Sequence, residues 1–257
     1  MNLVGIGNFG IRLSKELTKI YPENYKDYSI IDFPKFNKIE QYEEEMKKRS
    51  FQFQDDEDFL ILLQGNEPVV TTVLAFCEKI KKNKINVVYI EGKGQIDKIC
   101  FSVLQEYARS GLFESVNLIS LKEIENNFIV GNVSLKHYET LLVRTIIETI
   151  HSINYFNNSS PVFGEQVPFS SHSRIGTFGF ADLDKEGERK LFFPLDNITE
   201  ILYYVWVNQE TYEKDESLLD KIKKNLSDGS YSIFNDSQNS KPIVYLCART
   251  HIIQKGN

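Results

Sequence analysis

The 257-residue sequence has no apolar run near the roughly 20 residues that a membrane-spanning helix requires, so no membrane segment is expected. Its opening, Met1-Asn2-Leu3-Val4-Gly5, lacks a basic segment followed by an apolar stretch, so no signal peptide is expected either. Cysteine is scarce. Cys77, Cys100 and Cys247 are odd in number, far apart and in no CxxC or Cys/His spacing, which argues against a disulfide framework or a structural zinc site. A basic excess is also missing: 30 Lys and Arg face 36 Asp and Glu, for a net charge of -6. Nucleic acid is therefore not an expected partner. With 41% hydrophobic and 26% charged residues, the composition is that of a soluble, folded chain, and a cytoplasmic location is expected.

What is present is an alternation of strands and helices. Leu3 and Val4 open a short strand that runs into Gly5-Ile6-Gly7-Asn8-Phe9-Gly10, and Ile11, Leu13, Leu17 and Ile20 then recur at helical spacing. Residues 28–33 read as a second strand ending near Asp32, residues 39–49 as a charged helix, and residues 59–63 as a strand apolar on both faces. Gln64-Gly65-Asn66-Glu67-Pro68 then turns into a helix over residues 69–81, with Asn66 as its expected N-cap and Pro68 in its first turn. A strand at 85–90, a helix at 96–110 and a strand at 115–120 complete the pattern. Doubly apolar strands alternating with helices predict an α/β, Rossmann-like parallel sheet with helices on both faces over residues 1–133.

From residue 134 the period changes. Leu135, Tyr138, Leu142, Ile146, Ile150, Ile153 and Phe156 predict a long central helix over 134–158, up to about 35 Å in length. Asn157-Asn158-Ser159-Ser160-Pro161 ends it, and a loop rich in Ser, Asn, Pro and Gly follows. Residues 159–257 read as a smaller C-terminal α+β domain, with strands at 174–183, 190–194, 201–207, 231–234 and 242–248 and a helix marked by Leu218, Leu219 and Ile222.

The candidate site begins at the glycine turn. Glycines at positions 5, 7 and 10 permit a tight turn, backbone approach to a phosphate and close helix–strand packing, and the amides of the helix start favour an anion. Asp32, 22 residues past Gly10, lies near the spacing of about 20 at which an acid would contact a ribose. Geometry alone also explains such glycines, and strand-terminal acids are common.

The order of these landmarks resembles the tubulin/FtsZ superfamily. Val4-Gly5-Ile6-Gly7-Asn8-Phe9-Gly10 looks like its first loop, and Gln64-Gly65-Asn66-Glu67-Pro68-Val69-Val70-Thr71-Thr72 holds the place of its second, phosphate-binding loop. The helix at 134–157 looks like its central helix, and residues 245–254 resemble a closing strand of its C-terminal domain. A fainter resemblance is to uncharacterised proteins of large tailed phages. The superfamily resemblance implies GTP or GDP as first ligand, held by Gly5, Gly7, Asn8, Phe9, Gly10, Gly65, Asn66 and Thr71, and head-to-tail self-association. Other protein partners are not indicated. Two departures weigh against hydrolysis. The family's GGGTGTG-like run is reduced to Gly65, with Glu67 bringing a negative charge and able to satisfy the helix end itself. Its NxDxxD-like loop has no counterpart among Glu165, Asp182 and Asp184. Whether GTP binds at all stays open. The alternative is an NAD-dependent oxidoreductase using the GxGxxG turn and Asp32, although no hydride-transfer acid or base is identifiable. A third reading is an interaction module without ligand.

Other groups carry less. His137 and His151 lie roughly four turns apart on one helix, too far to share a metal. Ser170-Ser171-His172-Ser173 lacks a nucleophile elbow, and Asp55-Asp56-Glu57-Asp58 lacks the glycine of a calcium loop. Lys79–Lys84 reads as the cationic end of a helix. The aromatic tract from Phe192 and Phe193 to Tyr203, Tyr204 and Trp206 reads mainly as core, with any exposed part suited to a subunit interface.

Overall fold

The computed structural model describes residues 1–28, 33, 36–51, 53, 57–129 and 133–256. By contact the chain divides into two compact units, Met1–Ser120 with His251–Asn257, and Leu121–Thr250.

The first unit is built on β1 (Asn2–Ile6), α1 (Gly7–Ile20), β2 (Lys26–Asp27), α2 (Ile39–Lys48), β3 (Asp58–Gln64), a 3-10 turn (Pro68–Thr72), α3 (Val73–Lys79), β4 (Lys84–Ile90), α4 (Gln95–Arg109) and β5 (Ser115–Ile119). Its strands run in the order β2-β1-β3-β4-β5, all parallel. The apolar runs explain the order. Phe59, Leu60, Ile61, Leu62 and Leu63 in β3 are all buried, as are Val87, Val88, Tyr89 and Ile90 in β4, so these strands are shielded on both faces. The expected second strand begins earlier than read: Lys26 and Asp27 pair with Asn2 and Leu3, and the Tyr28 amide donates to the Leu3 carbonyl at 2.8 Å. Most of the stretch expected to be this strand, Asp32 included, lies outside the described residues.

α1 starts at Gly7, four residues before the expected start. It buries Leu13, Ser14 and Leu17 on one face, and the Ser14 hydroxyl donates to Asp27 at 2.6 Å. The helix expected over 69–81 is shorter and begins as a 3-10 turn. Val69, Val70, Thr71 and Thr72 form an unbroken β-branched run, which crowds an α-helical start. The last residues return to this unit: Gln254 donates its amide to Gln105 at 2.7 Å, and Gln105 donates back to the Gln254 carbonyl at 3.2 Å.

The second unit contains α5 (Leu121–Phe128), α6 (Leu135–Asn157), β6 (Phe163–Gly164), β7 (Ile175–Ala181), β8 (Arg189–Leu191), β9 (Glu200–Trp206), α7 (Gln209–Lys214), α8 (Leu218–Asn225), β10 (Ser230–Phe234) and β11 (Ile243–Thr250). Its sheet runs β8-β7-β11-β9-β10-β6; β9 and β10 are parallel and the other pairs antiparallel. The long helix expected from the sequence is α6. Its Phe156 is fully buried against Tyr204, Trp206, Phe234 and Tyr245, with ring centroids 4.7–5.7 Å away. Phe192, Phe193, Tyr203 and Tyr204 are buried, so that aromatic tract is core. α5, α7 and β6 are short elements that the sequence pattern did not announce. Among the described residues, no helix is long and apolar enough to cross a membrane.

Candidate functional site

The turn from β1 into α1 uses its glycines for packing first. A side chain at Gly10 would overlap the Leu62 carbonyl of β3, and one at Gly5 would sit 2.6 Å from the Ile11 backbone. Both are buried, so α1 lies against the sheet at a distance only glycine allows. Gly7 differs. Its φ of +75° is left-handed, and a Cβ there would stand 3.4 Å from the Glu67 carboxyl carbon. Phe9 is half-buried within the first turn of α1.

Glu67 is the group that meets this turn. One carboxylate oxygen accepts the Asn8 amide at 2.8 Å, and the other accepts the Asn8 side-chain NH2 at 3.1 Å. The helix start that a phosphate would favour thus carries a carboxylate from the β3 loop. The sequence suggested that Glu67 would satisfy its own helix. Instead it makes no side-chain cap there and spans to α1.

The second loop is organised from within. The Gly65 amide donates to the Ile90 carbonyl at 3.1 Å, the Asn66 amide to Gln64 at 2.9 Å, and the Val70 amide to Glu67 at 3.0 Å. Asn66 is not the N-cap that the sequence suggested; the cap position belongs to Glu67, and the Asn66 side-chain oxygen accepts the Lys93 amide at 2.8 Å. The Thr71 hydroxyl donates to the Pro68 carbonyl at 2.8 Å, turned onto its own helical turn. Below Gly65 lies a buried pair: Tyr89 donates to Asp97 at 2.5 Å, and Asp97 also accepts the Gly92 amide at 2.8 Å. Burial first, and Asp97 second, push the Tyr89 hydroxyl far above its usual range, so it serves as a fixed donor. A side chain at Gly65 would overlap both partners.

The structure therefore brings Gly7, Asn8 and Glu67 together, with Asn66 on the same loop reaching Lys93. Gly5 and Gly10 serve packing, and Thr71 faces its own backbone. Asp32, on which the dinucleotide alternative rests, lies outside the described residues. Asp97, Tyr89 and Lys93 were missed, since nothing in their spacing marks them. Elsewhere, Ser170 and His172 stand 3.4 Å apart but both are exposed on a loop, without the shelter a nucleophile needs. His137 is exposed and contacts Ser134 at 3.1 Å. Among the described residues no cluster of His, Cys, Asp or Glu could hold a metal. Glu165 is exposed, and Asp182 accepts the Asp184 amide at 2.9 Å within the β7–β8 turn.

No family model and no curated protein matches the sequence. Solved structures do. The chain superposes on TubZ of type III plasmid segregation with a TM-score of 0.68 and 13% identity, over 99% of this chain and 88% of that one. It superposes on an empty FtsZ dimer from M. jannaschii with a TM-score of 0.64 and 14% identity, over 97% and 87% of the two chains. The fold is tubulin/FtsZ-like. A third match, CetZ2 from Haloferax volcanii in a GTPγS-bound protofilament, has a TM-score of 0.61 and 9% identity over 96% and 92%. A tubulin/FtsZ-like fold at such low identity fits a divergent sequence.

Proposed function

We propose that this chain is a tubulin/FtsZ-like structural protein that self-associates head to tail and carries a degenerate nucleotide site with little or no GTP hydrolysis. The observation that carries the assembly reading is the extent of the likeness: nearly the whole chain follows structures captured as dimers, protofilaments and filaments. Head-to-tail contacts join two different surfaces, and when they do not close into a ring they extend into filaments. The second part of the reading is supported by loop chemistry. A phosphate cradle needs several unengaged amides, whereas the β3 loop turns its Gly65, Asn66 and Val70 amides inward. Hydrolysis needs acids placed to polarise water, and Glu165, Asp182 and Asp184 form no such group.

A concentration series by light scattering and sedimentation, with and without GTP and magnesium, tests this reading. Growth of large particles with rising protein concentration, alike in both series and without phosphate release, is expected. A protein that stays monomeric at every concentration in both series would overturn the assembly reading.

A further inference from the structure

In a glycine turn of this kind the second glycine exists so that an anion can approach the backbone, and here the group that approaches it belongs to the chain. The Glu67 carboxylate lies 3.4 Å from where a Gly7 side chain would start, and both of its oxygens bond to Asn8, through the backbone amide at 2.8 Å and the side-chain NH2 at 3.1 Å. The segment delivering it is braced on either side. Asn66 accepts the Lys93 amide from the loop after β4, Pro68 fixes the backbone just beyond, and the Glu67 carbonyl accepts the Val70 amide. Adjacent side chains of one loop thus reach in opposite directions and tie three strand-end loops together.

We propose that Glu67 is the resident anion of the glycine turn, closing the α1 N-terminus to phosphates and ordering the surrounding loops without a ligand. This rests on the degenerate-site reading above and gives it a mechanism. A carboxylate complements a helix N-terminus as a phosphate does, and being covalently attached it competes at high effective concentration. A free phosphate group reaches Gly7 only by displacing Glu67 and meeting its negative charge.

The experiment titrates inorganic pyrophosphate into the full chain and into E67A and E67Q by calorimetry, with circular dichroism confirming each fold. The wild type is expected to show no saturable binding. E67A, with the Asn8 amide released and the charge removed, is expected to bind at least about tenfold more tightly than wild type, a gain of about 1.4 kcal/mol. E67Q, which removes the charge but keeps an oxygen for the Asn8 amide, is expected to fall between them and stands in if E67A does not fold. Wild-type binding as tight as that of the variants overturns the proposal, and so does failure of the folded variants to gain affinity. Sedimentation of the same wild-type sample without pyrophosphate separates the two readings. A monomer with the expected titrations loses the assembly reading alone; no binding by the wild type or by the folded variants loses the resident anion and keeps the degenerate site. Wild-type binding as tight as that of E67A loses both, while assembly is read separately from the sedimentation.

Discussion

The loops after β1 and β3 leave the same edge of the first unit's parallel sheet, yet they keep different things. The first has three glycines, and each has its own reason: the nearby Ile11 backbone for Gly5, a left-handed φ of +75° for Gly7, which also faces the Glu67 carboxylate, and the Leu62 carbonyl for Gly10. The second keeps Gly65 and fills the rest with side chains that tie the loop down, Asn66 to Lys93 and Glu67 to Asn8. Glycine spacing therefore records how closely something approaches the backbone; the neighbouring side chains decide whether that something is a ligand or the protein itself.

Substitutions at matched positions break the comparison in graded steps. The largest effect is expected at Gly10→Ala, because the new methyl meets a β3 carbonyl that cannot rotate away, costing about 3 kcal/mol in urea unfolding. Gly65→Ala meets the ends of the Tyr89 and Asp97 side chains, which can shift at the expense of their hydrogen bond. A loss of about 2 kcal/mol is expected, with the Tyr89 absorbance perturbed. If Gly65→Ala proved the more damaging, packing of α1 on β3 would not be the stricter constraint. Asn66→Ala removes one exposed bond to Lys93 and should cost about 1 kcal/mol, visible as faster amide hydrogen exchange at Lys93.

His151, on α6 in the second unit, supplies the smallest effect. Burial lowers its pKa, so the unfolded chain binds the proton more readily than the folded one. Its contribution is full above the unfolded value of about 6.5 and is lost as pH falls below it. H151Q should flatten the decline in stability between about pH 7 and pH 5 and leave it unchanged at higher pH.

The longer strands β3, β4, β5, β9 and β11 were legible because each is a compact apolar run, doubly buried in β3 and β4, whereas the two-residue β2 and β6 carry no such run. α6 was legible because its apolar residues keep helical spacing over many turns. α5 and α7 were not, being too short to establish a period. The start of α1 was read late, since glycines in a helix's first turn look like loop. The run Val69-Val70-Thr71-Thr72 carried the signal for a tight 3-10 turn, but Pro68 pointed more strongly to an ordinary helix start. The site was half legible: both loops stood out, and Glu67 was recognisable as a charge out of place. Its partner was not, because Asn8 lies 59 residues away and only the β1–β3 pairing brings them together. The return of Gln254 to Gln105 was equally hidden, a pair of buried amides separated by 149 residues.

Nucleotide content is the most direct test of the proposal that this chain assembles with its glycine turn filled by its own Glu67. The protein is assembled in the presence of GTP, pelleted, denatured in acid and its released nucleotides separated by chromatography. The account predicts polymer with no guanine nucleotide above the level of a non-binding control; a stoichiometric guanine nucleotide in the pellet would contradict it.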